Sequence, residues 1–355
     1  MTAAAPGAID ALLSDAIARR VTPGAVVEAG TSRGVAWQAV AGRHTYAADA
    51  PAVDVDTIYD LASLTKVLAT TTLAMRAHVT GTLPVDTRVA TRRGEYASRL
   101  PFTVGDLLQH CAGFPAHRPF YQAVAGRAGY LARLAGEPLV YTPRDRHEYT
   151  DLGFLLLGVL LEDAAGTTLD RQFDQWRDEA IPRAAVGFGV RPDWRSRTAP
   201  TGVCPWRGRV INGSVHDANA AALGGVAPHA GLFGTAPAIG QAARWLMTLW
   251  RGDVEASAGV TSAVVRQFAS VGRIPGSSRA LGWDTMLPTS SCGTRLSTRS
   301  IGHTGFTGTS LWIDPERDLY VVLLTNRVHA SDDLEGIRRL RIATHDAVAD
   351  AWDAR

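Results

Sequence analysis

The chain has 355 residues, 46% of them apolar and 20% charged, and a formal net charge of +2. That balance is the one of a soluble globular protein, long enough for one large unit or two interleaved lobes. Near-neutrality offers no basic face for nucleic acid, and no stretch reaches the roughly 18 apolar residues of a membrane helix, so neither partner is expected.

In chain order, MTAAAPGAIDALLSDAIARR reads as a short amphipathic helix. Asp10 and Asp15 break any apolar run a signal peptide would need, so a cytoplasmic location is expected. GAVVEAG (24–30) and GVAWQAVAGRHTY (34–46) follow as two strands around a tight turn. Gly30–Gly34 in that turn spells G-x-S-x-G, but a nucleophile elbow needs a helix after its serine. Here a strand follows, so Ser32 is expected to be an ordinary turn residue. After a loop rich in Pro, Asp and Ala comes DLASLTKVLATTTLAM (60–75), an apolar helix in which Lys66 is the one charged side chain between Asp60 and Arg76, and the only lysine in the protein.

From about Gly81 to Gly202 the pattern becomes helical and irregular. VGDLLQH (104–110), DLGFLLLGVLLEDAAG (151–166) and TLDRQFDQWRDEA (168–180) read as helices. Past Ala220 it is mixed again, with a helix PAIGQAARWLMTLWRG (237–252) opened by Pro237. GTSLWIDPERDLYVVLLTN (308–326) reads as two strands around an Asp-Pro-Glu-Arg-Asp turn, and SDDLEGIRRLRIATHDAVADAW (331–352) as a closing amphipathic helix. Strands at both ends and helices between predict an α+β fold: one sheet domain built from 1–80 and 221–355, with a helical lobe, 81–220, inserted.

Cys111, Cys204 and Cys292 are odd in number, far apart and without a C-x-x-C pair, so free thiols are expected rather than disulfides or a zinc knuckle. His147-Glu148 lacks the second histidine of H-E-x-x-H, and His216-Asp217 and His229 have no ligand partner at i+4. Neither a P-loop nor a dinucleotide-type G-x-G-x-x-G occurs, so no metal and no cofactor are expected.

Three segments carry candidate chemistry. Ser63 and Lys66 are three apart, on one face of a helix. A serine hydroxyl needs a neighbouring base, and a lysine desolvated by apolar walls can lose its proton far below its free pKa of about 10.4 and act as one. Tyr149 and Asp151 precede an apolar helix. Asp151 suits an N-cap, and a Tyr149 phenol beside an ammonium could be held as phenolate and take the serine proton. In GHTGFTGTSLW (302–312), three glycines within seven residues let a substrate approach the backbone, with His303 facing such a cleft.

Ser63-x-x-Lys66, Tyr149-x-Asp151 and His303-Thr304-Gly305, in this order, resemble the penicillin-recognising serine hydrolases, the β-lactamases and penicillin-binding proteins. The tyrosine in the second element is similar to the class C β-lactamase and esterase branch. LLQHCAGFPAHRPFY (107–121), NGSVHDANAAALGGVAPHAGLFGTA (212–236) and HTGFTGTSLWIDPERDLYVVLLTNRVH (303–329) extend the likeness over most of the chain. The resemblance implies an antiparallel β-sheet flanked by helices, an all-helical lobe, and an active site at their junction. It implies Ser63 as acylated nucleophile, Lys66 as its proton partner and Tyr149 as general base. Backbone N–H groups of Ser63 and Phe306 would form the oxyanion hole, with Asp151, His303, Thr304 and Gly305 binding substrate. Two positions depart from the penicillin enzymes: Asp151 stands where Asn is usual and His303 where Lys is usual. A largely neutral histidine weakens an anion site, which favours an ester or amide hydrolase or acyl transferase. A β-lactamase or D-alanyl-D-alanine carboxypeptidase is the alternative within the class, and a non-catalytic module that only binds peptides or acyl compounds the alternative outside it. The oligomeric state and the acyl and leaving groups are not legible.

Overall fold

In the computed structural model of the chain, the described residues are 4–272, 274, 276–329 and 333–354. Six antiparallel strands form the main sheet, in the spatial order Asp284–Thr285, Ile301–Thr304, Ser310–Asp314, Leu319–Thr325, Gly24–Thr31, Gly34–Gly42. The first and last thirds of the sequence meet where Ala25 pairs with Thr325 and Gly30 with Tyr320. The two ends of the chain therefore share one sheet.

Both faces of that sheet are covered, which is why Leu319–Thr325 is buried throughout and reads as a nearly continuous apolar run instead of alternating. Val26, Val322 and Leu324 point into the core under the helix Ala236–Arg251, whereas Ala25, Val27, Val321 and Leu323 point toward the helices Ala4–Ala18 and Leu334–Asp353. The last helix starts at Leu334 with Asp333 as its N-cap; residues 331 and 332, where the sequence places its start, lie outside the described residues. Among the described residues no single helix is long and apolar enough to cross a membrane.

Segment 81–220 carries the helices Val104–Leu108, Gly126–Gly136, Asp151–Ala165 and Leu169–Ala180, but it is not purely helical. Its short strand Val186–Phe188 pairs with Leu232–Gly234, which also pairs with Tyr59–Asp60. A three-stranded sheet thus stitches the helical segment to both flanking parts, next to Ser63. Strands of two or three residues leave no periodic signal, so only coordinates reveal them.

Candidate active site

The turn that carries Ser63 is held from several sides. Leu61 N–H donates to the Leu232 carbonyl at 2.9 Å. The buried Asp60 carboxylate accepts from Ala62 N at 2.9 Å and from His216 N at 2.7 Å. Burial pushes the Asp60 acid up to about 6, although those two N–H groups favour its charged form. Ala62 is left-handed at φ 48°, a costly conformation for a residue with a Cβ, and it turns Ser63 onto the start of the following helix. That helix is π-wound over Lys66–Thr71 and α over Thr72–Val79. The sequence pattern predicts a helix but not its widened turn, a feature frequent at functional sites.

Lys66 is fully buried, and its three ammonium protons meet three acceptors: Ser63 Oγ at 3.1 Å, Asp151 Oδ1 at 2.7 Å and the His229 carbonyl at 3.4 Å. Burial works to lower its pKa, but the charges of Asp151 and Tyr149 overcome it and the net direction is upward. The expectation of a desolvated, neutral lysine is therefore corrected: Asp151 keeps Lys66 as an ammonium. Burial alone would raise the Asp151 carboxyl; Lys66 and His117, whose Nδ1 lies 3.9 Å away, hold it well below the usual carboxylate range. Nor is Asp151 the N-cap of its helix. Thr150 is, its hydroxyl accepting from Leu152 N and Gly153 N, which frees the Asp151 side chain for Lys66.

Tyr149 lies in irregular backbone just ahead of that helix. Lys66 Nζ is 4.8 Å from its ring centroid, and the His110 and His303 rings lie at 4.7 and 5.7 Å. His303 sits on the strand Ile301–Thr304, paired with Leu311. Its Nδ1–H donates to the Thr304 carbonyl at 2.8 Å. Burial, helped by the charges of Arg279 and Lys66, drives its pKa well below the usual imidazole value, so it is neutral at pH 7.

Of the three glycines in 302–312, Gly302 lies within a strand and the other two connect two strands. Gly305 and Gly308 lie between Ile301–Thr304 and Ser310–Asp314. A Cβ on Gly305 would stand 2.7 Å from the Leu61 carbonyl oxygen, so glycine permits this strand end to press on the Ser63 turn. Thr307 Oγ1 donates to the Asp60 carbonyl at 2.7 Å and Thr309 Oγ1 to the Leu61 carbonyl at 3.1 Å. Buried Arg341 holds the Gly305 and Thr309 carbonyls, and Arg327 Nε the Phe306 carbonyl at 3.0 Å. Among the described residues no acceptor engages the backbone N–H of Ser63 or of Phe306.

Ser63, Tyr149 and Phe306 line two clefts at once. One, of about 580 Å³, is walled by His303, Thr304, Gly305 and the arginines 279, 327, 338 and 341. The other, of about 420 Å³, is walled by Tyr121, Trp206, Asp151, Asp217 and His229. All eight candidate residues thus converge at one place. Ser32 does not: its N–H and hydroxyl are tied to Asp318 in the hairpin turn. Among the described residues no cluster of three or more His, Cys, Asp or Glu side chains is arranged to hold a metal, and the three cysteines are free and buried.

Sequence reasoning missed Asp60, His110 and Arg279. Asp60 opens the quoted helix segment, and its proximity to Ser63 was the available signal. His110 and Arg279 carry no local pattern, because their roles depend on which distant segment folds against them.

A family model described as Beta-lactamase matches residues 9–345. A putative D-alanyl-D-alanine carboxypeptidase of Escherichia coli (strain K12) is 31% identical over 311 residues, covering 77% of this chain and 70% of that protein. The protein of the same description from Salmonella typhi is 29% identical over 312 residues, covering 78% and 70%. Among solved structures, a mutant of simvastatin synthase from Aspergillus terreus superposes with a TM-score of 0.77 at 18% identity, over 99% of this chain and 96% of that one. EstCE1, a hydrolase with promiscuous acyltransferase activity, gives 0.75 at 21% identity, over 97% and 98%. A penicillin-binding protein homologue from Caulobacter crescentus gives 0.71 at 21% identity, over 98% and 99%. These likenesses establish the fold, and the match along nearly the whole sequence establishes more: the chain belongs to the beta-lactamase family and is a serine hydrolase.

Proposed function

We propose that the protein cleaves or transfers the acyl group of a small ester or amide through an acyl-enzyme on Ser63. The observation that carries this reading is the placement of Lys66 Nζ 3.1 Å from Ser63 Oγ while it is paired with Asp151 at 2.7 Å. In that arrangement Tyr149, whose ring lies 4.8 Å from the ammonium, serves as general base and takes the Ser63 proton as Oγ adds to the acyl carbon. The oxygen that becomes negative is met by the N–H groups of Ser63 and Phe306, each such donor contributing about 3 kcal/mol. Collapse returns the proton from Tyr149 to the leaving group. Water or an alcohol then reverses the sequence and frees the serine.

A specific observation also favours a substrate bearing a carboxylate, as in a D-alanyl peptide or a β-lactam. His303 by itself weakens an anion site, but Arg279, Arg338 and Arg341 line the same cleft, and the curated relatives are described as putative D-alanyl-D-alanine carboxypeptidases.

Intact-mass measurement after exposure to a fluorophosphonate and, separately, to a penicillin distinguishes these readings. A phosphonyl adduct without a penicilloyl one supports the esterase, a long-lived penicilloyl adduct the carboxypeptidase, and rapid penicillin turnover the β-lactamase. Ser63→Ala should abolish adduct formation and p-nitrophenyl butyrate hydrolysis, with Ser32→Ala unaffected. Equal hydrolysis by the Ser63→Ala protein would place the nucleophile elsewhere.

A further inference from the structure

His110 follows the helix Val104–Leu108 and adopts φ 57°, a left-handed conformation that costs a non-glycine residue of this size. The twist brings two groups of one residue to the same strap of chain. The His110 carbonyl accepts from Glu148 N at 2.9 Å, and its ring Nδ1 accepts from Thr150 N at 3.1 Å. Those donors are the residues on either side of Tyr149. The His110 ring itself lies 4.7 Å from the Tyr149 ring and stacks on Phe154 at 5.0 Å and 27°. Tyr149, which has neither helix nor strand to fix its backbone, is thus bracketed on both sides and on its ring face by one histidine.

We propose that His110 is the positioning residue of Tyr149, and that the acceptor at its Nδ1 is what holds the phenol in register with Ser63 and Lys66. The inference rests on Tyr149 being the proton acceptor of the proposed reaction. A backbone N–H can be accepted only by a lone pair, so the tautomer is fixed with the proton on Nε2, and a doubly protonated ring would lose the Thr150 bond. Burial and the cations Arg279 and Lys66 keep the ring unprotonated, opposed by Asp151; His303, neutral itself, and the phenols of Tyr149 and Tyr141 are the further titratable groups against this residue. The bracket is therefore intact at neutral pH, where Lys66 and Asp151 are both charged. Tyr141 Oη also donates to the His110 carbonyl at 3.0 Å, so the backbone half of the bracket has support of its own and the ring half is the part a substitution can remove.

The test uses His110→Gly and His110→Asn, both of which tolerate a left-handed backbone. Only asparagine places an acceptor, its Oδ1, near the position of Nδ1. For p-nitrophenyl acetate, kcat/KM should fall about 10- to 100-fold in His110→Gly and stay within about 3-fold in His110→Asn, the range of a mispositioned proton acceptor. A cycle with Tyr149→Phe, itself expected to lose about 100-fold, separates positioning from general weakening. If His110 works through Tyr149, adding His110→Gly to Tyr149→Phe costs little further activity. Independent, multiplying losses would overturn the inference, as would an Asn variant as impaired as the Gly variant. Should His110→Gly fail to fold by circular dichroism, His110→Asn alone still decides, since loss of its activity with the fold retained refutes the role of the acceptor. Undiminished activity of Tyr149→Phe would instead defeat the underlying assignment of the base.

Discussion

The two clefts that meet at Ser63 differ in the charge they present. The His303 cleft is lined by Arg279, Arg327, Arg338 and Arg341 and by one carboxylate, Asp284; Arg327 and Arg341 also donate to backbone carbonyls, which do not cancel their charge, so the wall is cationic. The other cleft contains three carboxylates, yet each is already engaged: Asp60 by two backbone N–H groups, Asp151 by Lys66, and Asp217 by His229 at 3.0 Å and Ala220 N at 2.7 Å. What that cleft offers a ligand is ring surface, with Trp206 46% and Phe306 57% exposed and Tyr121 packed against Trp206 at 5.1 Å. Counting charged residues would have made this cleft the anionic one. Counting unpaired ones makes it apolar, because a carboxylate spent on a buried partner has little left for a ligand.

The wall common to both clefts is Ser63, Tyr149 and Phe306; Ser63 is bonded from beneath by the Lys66–Asp151 pair, and breaking that pair should have the largest effect. Lys66→Ala is expected to lower kcat/KM at least about 100-fold on any ester, since both clefts depend on the same proton transfer. Asp151→Asn leaves Lys66 buried without its counter-ion and should cost about 3 kcal/mol of stability, the low end for such pairs because Asp151 is partly exposed. The sign against pH follows from the two shifts. The depressed Asp151 contributes stability above its unfolded pKa of about 3.9, lost as pH falls through its folded value. The raised Lys66 contributes below about 10.4, lost as pH rises through its own. Chemical denaturation should show the Asp151→Asn deficit at pH 8, where Lys66 alone opposes the carboxylate, and a somewhat larger one at pH 5.5, where His117, raised by Asp151, is protonated as well. A deficit that vanishes at pH 8 would mean the pair is not doubly ionised.

Most of the fold, and the three segments that meet at the candidate site, could be read from the chain. Long periodic segments such as 151–166 and the doubly buried strand in DLYVVLL announce themselves because their burial repeats along the chain. The charge state of Lys66 was not legible. From the sequence the apolar run around it argues for a neutral amine, and only the packing of a helix 85 residues away supplies the carboxylate that reverses the sign. The capping role open to Asp151 fell to its neighbour for a related reason: Thr150 and Asp151 are both good capping residues, and the backbone geometry chooses between them. The arginines of the His303 cleft are scattered between positions 279 and 341, so their convergence has no signature in spacing.

A middle-sized effect tests the apolar character of the second cleft. Trp206→Ala should reduce the ratio of kcat/KM for p-nitrophenyl phenylacetate over p-nitrophenyl acetate about 10-fold. Removing an indole face from a bulky acyl group forfeits roughly 1–1.5 kcal/mol. An unchanged ratio would mean that the acyl group does not enter the ring-lined cleft, and sensitivity to leaving-group bulk instead would reverse the assignment of the two clefts.

The smallest effect probes the cationic cleft at its rim. Arg338 is 44% exposed; its Nη2 donates to the Thr289 carbonyl at 3.2 Å and its Nη1 lies 3.9 Å from Glu335. An exposed guanidinium facing a substrate carboxylate is worth about 0.5–1 kcal/mol at low salt, so Arg338→Ala should cost roughly 3-fold. The comparison is between phenyl acetate and its carboxyphenyl counterpart, which differ only in the negative charge. The loss should fall on the charged ester alone and shrink as ionic strength rises past about 0.15 M, where the screening length is about 8 Å. A loss equal for both esters, or one indifferent to salt, would mean that Arg338 shapes the cleft by packing its stem and not by its charge.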